Sequence, residues 1–120
     1  MNNNKIEKLN DLEELRLYGN SIKFIDPICK GKFPKLKILK LSKNKIESIN
    51  SLNTDSKFTD LEVLDLFSNQ IRDLDIIKDP PFENITELYL SFNYIKSNDA
   101  FLSRKKFDKL KKLFVESNKD

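Results

Sequence analysis

Leu61-Glu62-Val63-Leu64-Asp65-Leu66-Phe67-Ser68-Asn69-Gln70-Ile71 is the stretch that decides the fold, because its spacing of Leu, Leu, Leu, Asn and Ile returns along the whole chain. Before it, the same frame holds Leu12, Leu15, Leu17, Asn20 and Ile22, then Leu36, Leu39, Leu41, Asn44 and Ile46. After it come Ile85, Leu88, Leu90, Asn93 and Ile95, and last Leu110, Leu113, Val115 and Asn118. Successive asparagines are 24, 25, 24 and 25 residues apart. A fixed period of that length marks an array in which each unit buries its apolar face only against its neighbours.

Each motif carries its own structural instruction. Leu15 and Leu17 alternate with Arg16 and Tyr18, the period of a strand, so one pair of side chains points in and the other out. Roughly 20 residues separate one strand from the next, ample for a crossover, which makes consecutive strands parallel and adjacent. The asparagine recurs because its amide donates and accepts at once, satisfying backbone groups in adjoining turns. Left unmet, each such buried group would cost about 1–3 kcal/mol. Between motifs the apolar ladder continues through Ile22, Ile25, Ile28 and Phe33, with matching sets ending at Phe58, Phe82 and Phe107. Each Phe stands three residues before the next motif. On this return side Asp26-Pro27 favours a turn or first helical position, Gly31 closes it, and Asp79-Pro80-Pro81 excludes regular helix. Ser97-Asn98-Asp99 predicts a cap opening a short helix over residues 100–106.

The pattern LxxLxLxxNxI resembles the leucine-rich repeat family over about residues 6–118. The resemblance implies an α/β fold: a right-handed leucine-rich-repeat solenoid with a curved parallel sheet of about five short strands, backed by loops, turns and short helix. The expected organisation is a single domain, residues 1–120, with repeats starting near 12, 36, 61, 85 and 110. The Phe-xx-Leu lead-in and the absence of cysteine caps resemble intracellular repeats such as those of phosphatase-1 regulators, acidic nuclear phosphoproteins and tubulin-folding cofactors. The acidic tail and partner domains of those families are absent from this sequence, so it selects none of them. Only a half-repeat, with Ile6 and Leu9, precedes the first motif, and two residues follow Asn118. A fragment of a longer array, or edge-to-edge self-association through uncapped ends, is therefore expected.

Composition argues against several functions. The longest apolar runs are far short of the roughly 20 residues that span a bilayer, and MNNNKIEKLN lacks the apolar region of a secretory signal. Cys29 is the only cysteine, so no intrachain disulfide forms, which suits a reducing cytoplasmic or nuclear compartment. With no histidine and two glycines, the chain has no glycine-rich phosphate loop and no Cys/His metal cluster. No cofactor is expected and an enzyme is not. Cys29 has no histidine to activate it, so it reads as a buried structural thiol. The net charge of +3, from 22 basic and 19 acidic side chains, does not by itself indicate nucleic acid. The basic segment Arg104-Lys105-Lys106 with Lys109, Lys111 and Lys112 reads as a solvated face. The glycosylation match Asn84-Ile85-Thr86 is weak, because Ile85 is expected to be buried.

A binding surface is the stronger reading. Alternation sends Glu14, Ile38, Val63, Glu87 and Lys112 to the concave face in one column. Arg16, Lys40, Asp65, Tyr89 and Phe114 form a second, and Tyr18, Ser42, Phe67, Ser91 and Glu116 a third. Nothing in the fold obliges these positions to be apolar, yet Ile38, Val63, Phe67, Tyr89 and Phe114 are, with Arg16, Lys37, Lys40 and Lys43 on one flank. Exposed aromatics with a charged rim are typical of protein interfaces. The expected site comprises Arg16, Tyr18, Ile38, Lys40, Val63, Asp65, Phe67, Glu87, Tyr89 and Phe114, and the expected function is a protein-interaction module. The alternatives are a nucleic-acid-associated subunit and a regulatory segment of a larger enzyme.

Overall fold

The computed structural model describes residues 11–30, 33–49, 60–72, 84–95 and 109–118, with backbone alone for Cys29 and Lys30. Five three-residue strands form one sheet: β1 (Glu14–Arg16), β2 (Ile38–Lys40), β3 (Val63–Asp65), β4 (Glu87–Tyr89) and β5 (Lys112–Phe114). They pair in sequence order, every pair parallel. The only helix among the described residues, α1 (Asp26–Lys30), follows β1 and holds Pro27 in its first turn, where a missing N–H costs nothing. The helix expected over 100–106, the turn at Asp79-Pro80-Pro81, Gly31, the ladder residues Phe58, Phe82 and Phe107, the basic segment at 104–106 and the Cys29 thiol lie outside the described residues and side chains.

Register follows the motif without slippage. Leu15, Leu39, Leu64, Leu88 and Leu113 are Cα partners across the sheet. The side chains of Leu15, Leu39, Leu64 and Leu88 point inward and join Leu36, Leu41, Ile46, Leu61, Leu66, Ile71, Leu90 and Ile95 in one continuous core. The interior members are almost fully buried, each worth roughly 1.5–3 kcal/mol of transfer free energy before the entropy of ordering is counted. Burial fades outward from the middle. Leu88 is 1% exposed, while Leu113, at the same place in β5, is 38% exposed. No strand follows β5 among the described residues to cover it.

The asparagines build the seam between repeats. Asn44 Nδ2 donates to the Leu17 and Leu41 carbonyls at 3.0 and 2.9 Å, while its Oδ1 accepts from the Asn20 and Ile22 N–H groups, both at 2.9 Å. Asn69 repeats this toward Leu41, Leu66 and Ile46, and Asn93 toward Leu66, Leu90 and Ile71. Asn118 does the same toward Leu90, Val115, Asn93 and Ile95. Each amide thus ties its own turn to the turn of the repeat before it. Asn20 has no earlier repeat among the described residues, and its side-chain amide donates to the Tyr18 carbonyl of its own turn, at 3.0 Å.

The residue ahead of each asparagine turns through the left-handed region: Gly19 (φ 71°), Lys43 (57°), Ser68 (58°), Phe92 (60°) and Ser117 (60°). Glycine is at home there, whereas a bulky side chain pays roughly 1–2 kcal/mol for the close approach of Cβ to the carbonyl oxygen. The turn is demanded by the asparagine seam on one side and by the rung Phe92 N–H to Glu116 carbonyl, 3.3 Å, on the other. Phe92 therefore holds a strained conformation that the surrounding hydrogen bonds impose.

Candidate functional site

The register places the first two outward columns as the alternation predicts. Glu14, Ile38, Val63, Glu87 and Lys112 are successive Cα partners, as are Arg16, Lys40, Asp65, Tyr89 and Phe114. Backbone rungs carry the third column beyond the strands, from the Gly19 N–H to Ser42, Lys43 to Phe67, Ser68 to Ser91 and Phe92 to Glu116. All ten expected site residues therefore share one face of the sheet. Their surroundings divide that face in two.

On the β1 and β2 side most groups are charged, and Arg16 and Lys37 are already paired. The Arg16 guanidinium donates to the Glu14 carboxylate two residues away on the same strand. Lys37 pairs with Glu13 at 3.7 Å, and the Lys43 ammonium lies 6.0 Å from the centre of the Tyr18 ring, at the outer limit of a cation–π contact. Tyr18 remains 62% exposed. Ile38 and Lys40 are half-buried between β1 and β3.

On the β3 to β5 side the rings touch one another. Tyr89 and Phe114 stack face to face, with centroids 5.1 Å apart and planes within 5° of parallel. Phe67 meets Phe92 edge-on, at 5.2 Å and 66°. Each such pair adds about 0.5–1.5 kcal/mol beyond the area it covers. Phe92 is 53% exposed and joins the surface from the turn. Alternation could not place it there: its position before the asparagine belongs to no strand, and only the left-handed turn swings the ring to the sheet face. Ser91, expected in the third outward column, is 5% exposed. It lies in register with Phe67 and beside Phe92, and a side chain so short sits below the level of those rings.

Two acidic residues fix this half. The Tyr89 hydroxyl donates to Glu87 Oε1 at 2.5 Å. That bond first, then burial and the negative charges of Glu87 and Asp65, pushes the phenol from its ordinary 10.0 up to about 12. Tyr89 is thus held neutral and aimed along the strand. Asp65 Oδ1 accepts from the Phe67 backbone N–H at 3.0 Å, securing the chain where it leaves β3. Glu87 and Asp65 therefore position Tyr89 and the chain at Phe67, and Val63 is half-buried in register with Glu87.

A second, open groove runs along the strand starts, lined by Lys37, Asp60, Glu62, Asn84, Thr86 and Lys109. Here Ile85 is buried as expected, and the Thr86 hydroxyl donates to the Glu62 carbonyl at 3.2 Å.

The sequence profile described as Leucine Rich repeats (2 copies) matches residues 11–54 and 34–79, together more than half of the chain. No curated protein sequence gives a significant match. Among solved structures, an internalin from Listeria monocytogenes superposes over 100% of this chain with a TM-score of 0.75 at 21% identity. At that identity the likeness is one of fold. The chain spans about a third of the internalin's length, 33%. No helix among the described residues is long and apolar enough to cross a membrane.

Proposed function

We propose, from the premise that this chain belongs to the leucine-rich repeat family, that it is a binding module rather than an enzyme and takes a protein partner on the concave face of its sheet. The carrying observation is two ring pairs on one face, Phe67 with Phe92 and Tyr89 with Phe114. Four aromatic side chains on the outward face do nothing for the core, which closes behind the strands without them. One of the four is held there at a conformational cost. Aromatic side chains are the residues from which interface hot spots are built, and arginine, here at the rim as Arg16, is another. A cytoplasmic or nuclear setting fits the single cysteine.

A partner would cover the rings and meet the charged rim formed by Arg16 and Lys40. The test is a display selection against the purified chain, repeated with Phe67→Ala and Tyr89→Ala. A partner that uses this face loses about 2 kcal/mol or more with either variant, roughly a thirtyfold fall in affinity, while the fold loses only one ring pair, about 0.5–1.5 kcal/mol, and still melts as a folded protein a few degrees below the parent. Binding that is indifferent to both substitutions, or that follows salt as a polyanion contact does, would sink this reading.

A further inference from the structure

The rings of the β3 to β5 half stand among carboxylates. Asp65 precedes Phe67 by two residues on the outward face, Glu87 accepts the Tyr89 hydroxyl at 2.5 Å, and Glu116 follows Phe114 by two residues, its carbonyl taking the Phe92 N–H at 3.3 Å. Lys40 and Lys112 are register neighbours of Asp65 and Glu87, yet neither closes an ion pair with them. The ion pairs of the described residues lie elsewhere, Arg16 with Glu14, Lys35 with Asp11 and Lys37 with Glu13. The charge of Glu87 and Asp65 is felt at the Tyr89 phenol, where both help to push its pKa up to about 12. The chain as a whole carries +3, so this half of the face departs from the sign of the molecule that holds it.

We propose that the partner segment seated on this half of the face is cationic, setting arginine side chains against the two ring pairs and among Asp65, Glu87 and Glu116. This rests on the concave-face reading and names the chemistry of the partner that face takes. The alternatives fail on charge. A purely apolar segment would cover the rings, Phe92 at 53% and Phe114 at 40% exposure, but would also strip water from the carboxylates and leave them unpaired, at several kcal/mol for each ion fully buried. An acidic segment adds like-charge repulsion. A cation is drawn by both kinds of group, since the face of an aromatic ring carries partial negative charge as the carboxylates carry full charge. Arginine meets both at once: its planar guanidinium stacks on a ring, forks onto a carboxylate and sheds water more readily than an ammonium. The molecule already contains one such contact, the Arg72 guanidinium lying 4.9 Å from the centre of the Tyr94 ring.

Panning a phage-displayed library of random peptides, each about 12 residues long, against the intact chain tests this. Peptides whose binding falls with Phe67→Ala or Tyr89→Ala should be enriched in arginine at least about twofold over the unselected library. Asp65→Asn, Glu87→Gln and Glu116→Gln together keep the side-chain oxygens that accept from the Phe67 N–H and the Tyr89 hydroxyl and remove only charge. Affinity for those peptides should then fall at least about tenfold. Glu47→Gln, Asp60→Asn and Glu62→Gln change the net charge equally from outside the three outward columns, and should alter affinity less than about twofold. Citrulline in place of a peptide's arginine, which removes the charge and keeps the shape, should weaken binding to the parent about tenfold and to the triple amide variant far less. Ring-dependent peptides without arginine enrichment, or indifferent to the triple amide change, would overturn this inference and leave the concave-face reading standing. Peptides that bind without using the rings, or a library that yields no binder, would overturn both.

Discussion

At the residue scale, side chains of one type divide by position. Asn69 satisfies the Leu41 and Leu66 carbonyls and the Ile46 N–H, all buried. Asn69→Ala should lower unfolding free energy by about 3 kcal/mol or more, since each stranded group costs roughly 1–3 kcal/mol. Asn20→Ala should cost less than about 1 kcal/mol, because it removes one exposed bond; urea titrations of the pair measure the contrast. Phe92→Asn gives the left-handed turn a residue that tolerates it, gaining about 1–2 kcal/mol and losing a ring pair worth about 0.5–1.5 kcal/mol. Stability should therefore move between a loss of about 0.5 and a gain of about 1.5 kcal/mol while partner affinity falls. For Tyr89 the sign follows from the raised value. The neutral phenol's contribution is fully present below pH 10 and is lost as pH climbs through about 12. A phenolate absorbance titration should show one of the three tyrosines ionising near 12, and Glu87→Gln should move it down toward 10. The roles of Asn44, Asn69 and Asn93 were legible from spacing alone. Phe92 was not, since a backbone dihedral, with no signature in the letters Ser-Phe-Asn, brings it to the surface.

At the element scale, strands of three residues are too short to stand by themselves, and each is held by the rungs on both sides. The amides of Leu41 and Leu66 donate between interior strands β2, β3 and β4, whereas the Leu17 and Leu90 bonds involve β1 and β5. Hydrogen exchange on dilute protein should find Leu41 and Leu66 slowest, with Leu17 and Leu90 opening first as the ends fray. Uniform protection would mean that the array opens as one unit. Core truncation should follow the same gradient: Leu88→Ala should cost about 2–5 kcal/mol, and Leu113→Ala much less, because the side chain is already partly in water. Strand number, order and register could all be read from the Leu-x-Leu period, because inward and outward positions differ by one residue and a slip would bury charge. What the period could not convey was the fading of burial toward β5, which depends on what lies beside an element rather than on its own residues.

At the scale of the whole molecule, one frame carries two independent patterns. Leu, Asn and Ile recur because every repeat must close the same core and seam, and that recurrence made the solenoid recognisable. The outward letters obey no such rule: carboxylates at β1, rings from β3 to β5 and lysines around β5 are a distribution along the array, visible only once the columns are aligned. Ring contacts such as Phe67 with Phe92 have no signature in the period, since side chains from different columns meet there. The uniform ladder has one further implication, for how such a chain can change length. Every junction uses the same donors and acceptors at a spacing of 24 or 25 residues, so excising residues 61–84 joins Asp60 to Ile85 just as Asp60 now precedes Leu61. The shortened product would set Ile38 beside Glu87 and Lys40 beside Tyr89 while keeping every remaining rung in phase. Copy number is thus open to gain and loss by unequal recombination, one whole repeat at a time, without a redesigned boundary.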